Sequence, residues 1–70
     1  MEASQAIIVN GERRETRQGA TVADLLRDLN LPTGRVAVER NLEILPRPQW
    51  PNTAIQPGDR YEIVHFVGGG

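Results

Sequence analysis

Three consecutive glycines, Gly68, Gly69 and Gly70, directly follow a strand-forming segment and carry the chemistry that we expect of this chain. Glycine has no Cβ, so such a tail is thin, and its backbone can approach a nucleotide phosphate closely. We expect a flexible tail that threads a narrow channel and presents the carboxylate of Gly70 to another protein's active site. The alternative is a frayed end without function.

The side chains elsewhere offer little for catalysis or metal binding. The chain has no cysteine and one histidine, so neither a thiolate site nor a transition-metal site is expected. His65 would need an orienting partner and a substrate pocket to act as a general base, and the sequence suggests neither. We interpret it as a strand residue at a sheet margin.

Trp50, surrounded by prolines, is interpreted as closing the end of a small core, with a ligand-stacking platform as the alternative.

Composition favours a carrier or binding role over an enzyme. Seventy residues form one domain, which buries only about 60% of its unfolded surface and leaves little room for an enclosed cofactor. The eight arginines are dispersed and the net charge is −1, so a nucleic-acid surface is not expected. The start of the sequence lacks a signal-peptide pattern, and no apolar stretch approaches the roughly 20 residues that span a bilayer. We therefore expect a cytoplasmic protein that is monomeric when free and binds neither membranes nor a cofactor.

The elements that must position the tail begin with a hairpin. We expect residues 1–5 to be frayed, residues 6–9 to form a strand, and Asn10-Gly11 to turn the chain into a return strand over residues 12–16. Thr21 and Asp24 predict a capping box at the start of a helix that ends near Asn30, before Pro32. Its apolar stripe has the helical spacing i, i+3, i+4, i+7 and consists of Val22, Leu25, Leu26 and Leu29.

Three further strands are predicted after the helix, over residues 35–40, 43–45 and 60–67, with an irregular or single-turn segment around Trp50. Alternation in the last strand turns Tyr61 and Ile63 inward, and Val64 and Phe66 outward. We expect Val64, Phe66 and Val67 to form a docking patch for partner enzymes beside the tail. The predicted fold is an α+β roll in which a mixed sheet of four to five strands wraps around one main helix. Residues 1–67 would form this single domain, and residues 68–70 the flexible tail.

Six blocks of sequence, in order and with characteristic spacing, together resemble one protein family. They are Asn10-Gly11-Glu12, Thr21-Val22-Ala23-Asp24-Leu25-Leu26, Val36-Ala37-Val38-Glu39-Arg40-Asn41, Pro46-Arg47 with Trp50, Gly58-Asp59-Arg60, and Glu62-Ile63-Val64-His65-Phe66-Val67-Gly68-Gly69-Gly70. From about residue 7 to the end, the chain is similar to the ThiS sulfur carriers of thiamine biosynthesis, which have a ubiquitin-like β-grasp fold. It departs from them in a slightly longer N-terminus and in Leu42, where the family often has a small or polar turn residue.

The resemblance implies a cycle in which the chain is a co-substrate and not an enzyme. A ThiF-type adenylyltransferase consumes ATP to convert the Gly70 carboxylate into an acyl-adenylate. A persulfide sulfur donor then displaces AMP and leaves a thiocarboxylate on Gly70. A ThiG-type thiazole synthase accepts that sulfur while it builds the thiazole ring.

Three other functions remain open at this point, and one of them is conjugation to lysine in the manner of ubiquitin. The small subunit of molybdopterin synthase shares the fold, the glycine tail and the thiocarboxylate chemistry, although the blocks around residues 36–41 and Trp50 favour the thiamine version. A ubiquitin-like interaction module with an inert tail is the second alternative. Adenylation of the carboxylate by a partner enzyme separates that module from both carriers.

Overall fold

The first two strands form the hairpin that was predicted at Asn10-Gly11. In the computed structural model, which describes residues 3–31 and 35–66, β1 (Ser4–Val9) pairs antiparallel with β2 (Glu12–Arg17). Asn10 and Gly11 adopt positive φ angles of 50° and 83°. Both central residues of a type I′ turn need positive φ, which explains why an Asn-Gly pair stands here.

The prediction of a frayed start is wrong for Ser4 and Gln5, which belong to β1. Alternation along β1 turns Gln5 to the same face as Ile7, and both side chains are buried. The Gln5 amide donates hydrogen bonds to the backbone oxygens of Ile55, at 3.1 Å, and Arg17, at 3.4 Å. These bonds satisfy the buried amide. The strand escaped prediction because its first inward residue is polar.

The single α-helix of the described residues, α1 (Val22–Asp28), begins with the predicted capping box. Thr21 Oγ1 accepts a hydrogen bond from the Asp24 backbone N–H at 3.2 Å, and Asp24 Oδ2 accepts one from the Thr21 N–H at 3.0 Å. The helix ends where predicted, because Asn30 adopts a φ of 58°, outside the helical region. The residues of α1 that are buried in the core are Val22, Leu25 and Leu26.

The described residues form one mixed sheet of five strands. After α1 come β3 (Val36–Arg40), β4 (Glu43–Ile44), a 3-10 helix (Arg47–Asn52) and β5 (Arg60–His65). The strand order is β2-β1-β5-β3-β4, in which β5 runs parallel to β1 and antiparallel to β3. Apolar residues of α1 and of one sheet face share a single core. The α+β, β-grasp (ubiquitin-like) roll is therefore confirmed.

Trp50 closes one end of this core, as predicted, so its interpretation as a ligand-stacking platform is wrong. The side chain is buried, and its indole Nε1 donates a hydrogen bond to the backbone oxygen of Leu45 at 3.0 Å. The guanidinium of Arg47 lies 4.8 Å from the ring centroid on the outside. The predicted strand over residues 43–45 ends one residue earlier, although the Leu45 N–H still donates to the Val38 oxygen at 2.8 Å.

Candidate functional site at the end of the last strand

The strand that leads into the glycine tail lies in the middle of the sheet. β5 ends at His65 and not at residue 67 as predicted, but the N–H of Phe66 still donates a hydrogen bond to the oxygen of Arg35 at 2.8 Å. Val67 lies outside the described residues, as do the tail residues Gly68, Gly69 and Gly70. Their assigned roles, and the division into a domain over 1–67 and a tail over 68–70, therefore stay predictions.

The predicted alternation of β5 is confirmed. Tyr61 and Ile63 are buried, whereas Val64 and Phe66 are each 51% exposed. The predicted outward orientation of Phe66 is thus correct, even though this residue follows the last one of the strand. The geometry leaves two large apolar side chains at the surface immediately before the tail, as a docking patch requires.

A further exposed apolar side chain, that of Ile44, lies on the same outer face of the sheet. Val64 pairs with Ala37 on β3, and Ile44 on β4 pairs with Glu39, two residues further along β3. Residues directly opposite each other share a face, and so do residues two apart on one strand. Ile44 is 68% exposed, so the exposed apolar surface on this face continues away from the end of β5. We call Val64, Phe66 and Ile44 the outer apolar patch.

A buried carboxylate fixes the start of β5. Asp59 is 5% exposed, and its Oδ2 accepts hydrogen bonds from the Tyr61 hydroxyl at 2.8 Å, from Arg40 Nε at 3.1 Å and from the Gln56 N–H at 2.9 Å. Its Oδ1 accepts a fourth, from Asn41 Nδ2 at 3.1 Å. These bonds tie the turn before β5 to the end of β3.

The same network shifts the pKa values of Asp59 and Tyr61. Burial raises the pKa of Asp59, but the hydrogen bonds from Gln56, Asn41, Tyr61 and Arg40 outweigh it and hold that pKa below its ordinary value. Burial, together with the bond to Asp59, raises the pKa of Tyr61 to about 12. A charged carboxylate bonded to a neutral phenol is therefore the stable arrangement at neutral pH.

Sequence reasoning missed this network, because it interpreted Asp59 only as part of a turn. One signal was available in the printed sequence. Residues two apart in a strand share a face, and Tyr61 was predicted to point inward. The side chain of Asp59, two residues before it, is therefore expected to point toward the core as well. Its partner Arg40, at the end of another strand, is not evident without the pairing of β3 with β5.

His65 lies where it was predicted, at the margin of the sheet. It is exposed and pairs with Val36 on β3. Within residues 3–31 and 35–66, no three His, Asp or Glu side chains gather in a way that suits a metal ion. No helix in that part of the chain has the length and apolar character needed to cross a membrane.

Comparison with known sequences identifies sulfur carriers and thiazole synthases among the relatives. The model of the ThiS family matches residues 7–70. A sulfur carrier protein ThiS from Escherichia coli is 31% identical over 64 residues, which cover 91% of this chain and 97% of that protein. A thiazole synthase from Paramagnetospirillum magneticum is 45% identical over 64 residues, again 91% of this chain. The chain spans only 20% of the length of that synthase.

Solved structures agree with the fold. The crystal structure of a thiamine biosynthesis protein (ThiS) from Geobacter metallireducens superposes with a TM-score of 0.75 at 36% identity, covering 94% of this chain and 100% of that one. A designed protein based on human ubiquitin has a TM-score of 0.53 at 18% identity, over 100% of this chain and 98% of the design. The second likeness concerns the fold alone.

Proposed function

This chain belongs to the ThiS family, and from that premise we propose that it is a sulfur carrier for thiazole formation in thiamine biosynthesis. The observation that carries the proposal is the end of β5. A central strand, anchored at its start by buried Asp59, ends beside exposed Val64 and Phe66, and in the sequence Val67 and then Gly68, Gly69 and Gly70 follow. A rigid body with an apolar patch and a thin terminal arm suits a protein whose carboxylate is processed by other proteins.

The proposed chemistry takes place on the Gly70 carboxylate. That group is a poor electrophile, and transfer of AMP from ATP, with release of pyrophosphate, converts it into an acyl-adenylate with a good leaving group. The terminal sulfur of a persulfide attacks the carbonyl carbon and expels AMP, which leaves an acyl disulfide. A second thiol cleaves its S–S bond, and the products are a protein disulfide and the thiocarboxylate of Gly70.

The proposed partners follow from this chemistry. A ThiF-type adenylyltransferase would consume the ATP, a persulfide protein would donate the sulfur, and a ThiG-type thiazole synthase would accept it. The presence of a similar segment within a bacterial thiazole synthase supports the last of these. This chain would be a co-substrate without catalytic residues or a cofactor of its own, in the cytoplasm where ATP is supplied. The ThiS family match favours thiazole formation over the molybdopterin alternative.

Intact-protein mass spectrometry tests the proposal. The carrier is incubated with ATP, the adenylyltransferase and a persulfide donor, and is then fragmented. We expect a mass gain that equals replacement of one oxygen by sulfur, located at Gly70, and no gain when ATP is left out. An unmodified carrier, with an adenylyltransferase that modifies a known ThiS in parallel, would contradict the proposal and favour the interaction module.

A further inference from the structure

Two glutamates stand side by side on the outer face of the sheet. Glu39 on β3 and Glu62 on β5 are directly opposite each other in the antiparallel ladder, one step from the Ala37–Val64 pair on the same face. Side chains in such positions have Cβ atoms roughly 4.5–5.5 Å apart, and like charges there destabilise the sheet. We call Glu39 and Glu62 the acidic pair.

No cation of the described residues compensates the acidic pair. The ion pairs within 4 Å in residues 3–31 and 35–66 involve other carboxylates. Arg60 is exposed on the same face, two residues before Glu62, but it lies beyond 4 Å from both glutamates. One guanidinium also cannot neutralise two carboxylates. The fold therefore tolerates a repulsion on this face that nothing in the described part of the chain relieves.

The acidic pair is continuous with the outer apolar patch. Glu39 is half-buried, and it has Glu62 as its neighbour on β5 and Ile44 as its neighbour on β4. Val64 follows Glu62 on the same face, in the direction of the tail. The two carboxylates are thus bordered by exposed apolar side chains on two sides. A group that meets both carboxylates would contact this apolar surface as well.

These features define the chemistry of a partner that fits this unpartnered sheet face. A guanidinium or ammonium group placed against the acidic pair would relieve the repulsion. Apolar contacts around that group would exclude water, which strengthens the attraction between the charges. A planar guanidinium can also donate to two carboxylates at once. An acidic surface would instead meet two carboxylates and be rejected, so the pair discriminates between partners.

We propose that Glu39 and Glu62 together bind one cationic side chain, an arginine or a lysine, on the surface of the thiazole synthase, while the outer apolar patch packs against the apolar residues around that side chain. The inference rests on the proposed function for the identity of this enzyme. Glu39 and Glu62 are then specificity-determining residues on the strand that leads to the tail and on its neighbour. They take no part in the sulfur chemistry at Gly70.

Amide substitutions separate a binding role from a structural one, because the two effects have opposite signs. Glu39→Gln and Glu62→Gln each remove the repulsion, so the melting temperature of the carrier alone should rise by about 1–4 °C. Calorimetric titration of the full chain into thiazole synthase should show binding that is at least about fivefold weaker for each variant. Circular dichroism of each variant confirms that the fold is retained.

Glu43→Gln is the matched control for the loss of one negative charge. Glu43 is exposed on β4 and pairs with Arg40, whose side chain bonds to Asp59 on the core side, so Glu43 faces away from the acidic pair. Its substitution should change the affinity by less than about twofold. Arg60→Gln, which removes a positive charge beside the pair, should not weaken binding.

Charge reversal and salt identify the sign of the group on the partner. Glu62→Lys should weaken binding at least about twentyfold, because two cations would then face each other. Raising the salt concentration from about 0.05 to about 0.5 M should weaken binding of the unsubstituted chain. The same increase should affect the double variant Glu39→Gln, Glu62→Gln much less.

Several results would overturn the proposal. They are unchanged affinity of the Glu39→Gln and Glu62→Gln variants, an equal loss of affinity for Glu43→Gln, lower melting temperatures of the two glutamine variants, weakened binding to the adenylyltransferase in place of the synthase, self-association of the chain through this face, or no binding of the unsubstituted chain to the synthase. Sulfur loading of Gly70 is measured without thiazole synthase. Failure of this docking face and failure of the carrier function are thus distinguishable.

Discussion

The side chain of Asn10 bonds to both backbone groups of Ile63, accepting from its N–H at 2.8 Å and donating to its oxygen at 3.2 Å. Asn10 is also the first residue of the hairpin turn, with a φ of 50°. One residue therefore turns β1 into β2 and extends the pairing of β1 with β5 beyond the last backbone partner. The final residues before the tail are positioned by this side chain.

Two substitutions of Asn10 separate its two roles. Asn10→Gly keeps the positive φ and loses the two side-chain hydrogen bonds, which should lower the free energy of unfolding by about 1–2 kcal/mol. Asn10→Ala loses the same bonds and also strains the turn, at a further cost of about 1 kcal/mol. Urea denaturation followed by the fluorescence of Trp50 measures both. Equal stability of the two variants would show that the turn is not strained by a Cβ.

Asp59 should make the protein sensitive to acid. Its pKa in the folded state lies below the ordinary value of 3.8, so the unfolded chain binds a proton more readily. The stabilisation is fully present above the unfolded pKa and is lost as the pH falls through the folded one. The pKa of Asp24 is also lowered, chiefly by the hydrogen bond from the Thr21 backbone, so this residue contributes to the loss of stability over the same acidic pH range.

Thermal melts of the unsubstituted chain and of Asp59→Asn over the pH range measure this effect. The variant should be less stable at neutral pH by about 2–3 kcal/mol, because a buried network loses its charged acceptor. Its melting temperature should also fall less steeply between about pH 5 and pH 2. Parallel curves for the two proteins would indicate that Asp59 does not titrate differently in the folded state.

Tyr61 should titrate well above ordinary tyrosines. Its pKa of about 12 exceeds the unfolded value of 10.0, so its share of the stability is fully present below pH 10 and is lost as the pH rises toward 12. The chain contains one tyrosine, so the ultraviolet absorbance of tyrosinate reports on this residue alone. A midpoint near 10 in a chain that is still folded would contradict the buried hydrogen bond to Asp59.

Phe66→Ala should weaken partner binding more than it weakens the fold. The ring is 51% exposed, so its loss should cost less than about 1 kcal/mol of stability, whereas truncation of an interface aromatic commonly costs 2 kcal/mol or more of binding. Calorimetric titration with thiazole synthase and a thermal melt give the two values. Leu42→Ala, at an exposed apolar residue outside the outer apolar patch, is the matched control. A large loss of stability with unchanged binding would assign Phe66 to the core.

One alanine appended after Gly70 should abolish sulfur transfer and leave the fold unchanged. The added residue displaces the carboxylate and brings a Cβ into the channel that the glycine tail would thread. Loading is measured by mass spectrometry and folding by circular dichroism. An appended glycine separates the two effects, since it shifts the carboxylate without adding a side chain. Normal sulfur transfer by the alanine variant would refute the tail mechanism.

Local signals in the sequence predicted most of the fold. Three features depend only on neighbours within a few residues, and they can therefore be recognised from the local sequence. They are the Asn10-Gly11 turn, the Thr21–Asp24 capping box and the spacing of the apolar residues of α1. Alternation placed Tyr61 inward and Phe66 outward for the same reason. Gln5 was missed because its burial depends on Ile55, which lies fifty residues away.

The parts of the site that escaped prediction depend on pairing between distant segments. The network around Asp59 needs Arg40 and Asn41 at the end of β3, and the bonds from the Asn10 side chain to Ile63 need the parallel pairing of β1 with β5. Neither follows from spacing along the chain. The family resemblance predicted the tail as the working part, but it did not predict the buried network at the start of the strand that leads to it.

The arrangement of β5 has a mechanical consequence. Because this strand is held by β1 on one side and by β3 on the other, tension applied along the tail loads the hydrogen bonds of both ladders in shear, and many must break together. A strand at the sheet edge, pulled across its length, would instead unzip one bond at a time. On the proposed function, an enzyme that pulls the tail into its channel would therefore load the whole sheet and not peel off one strand.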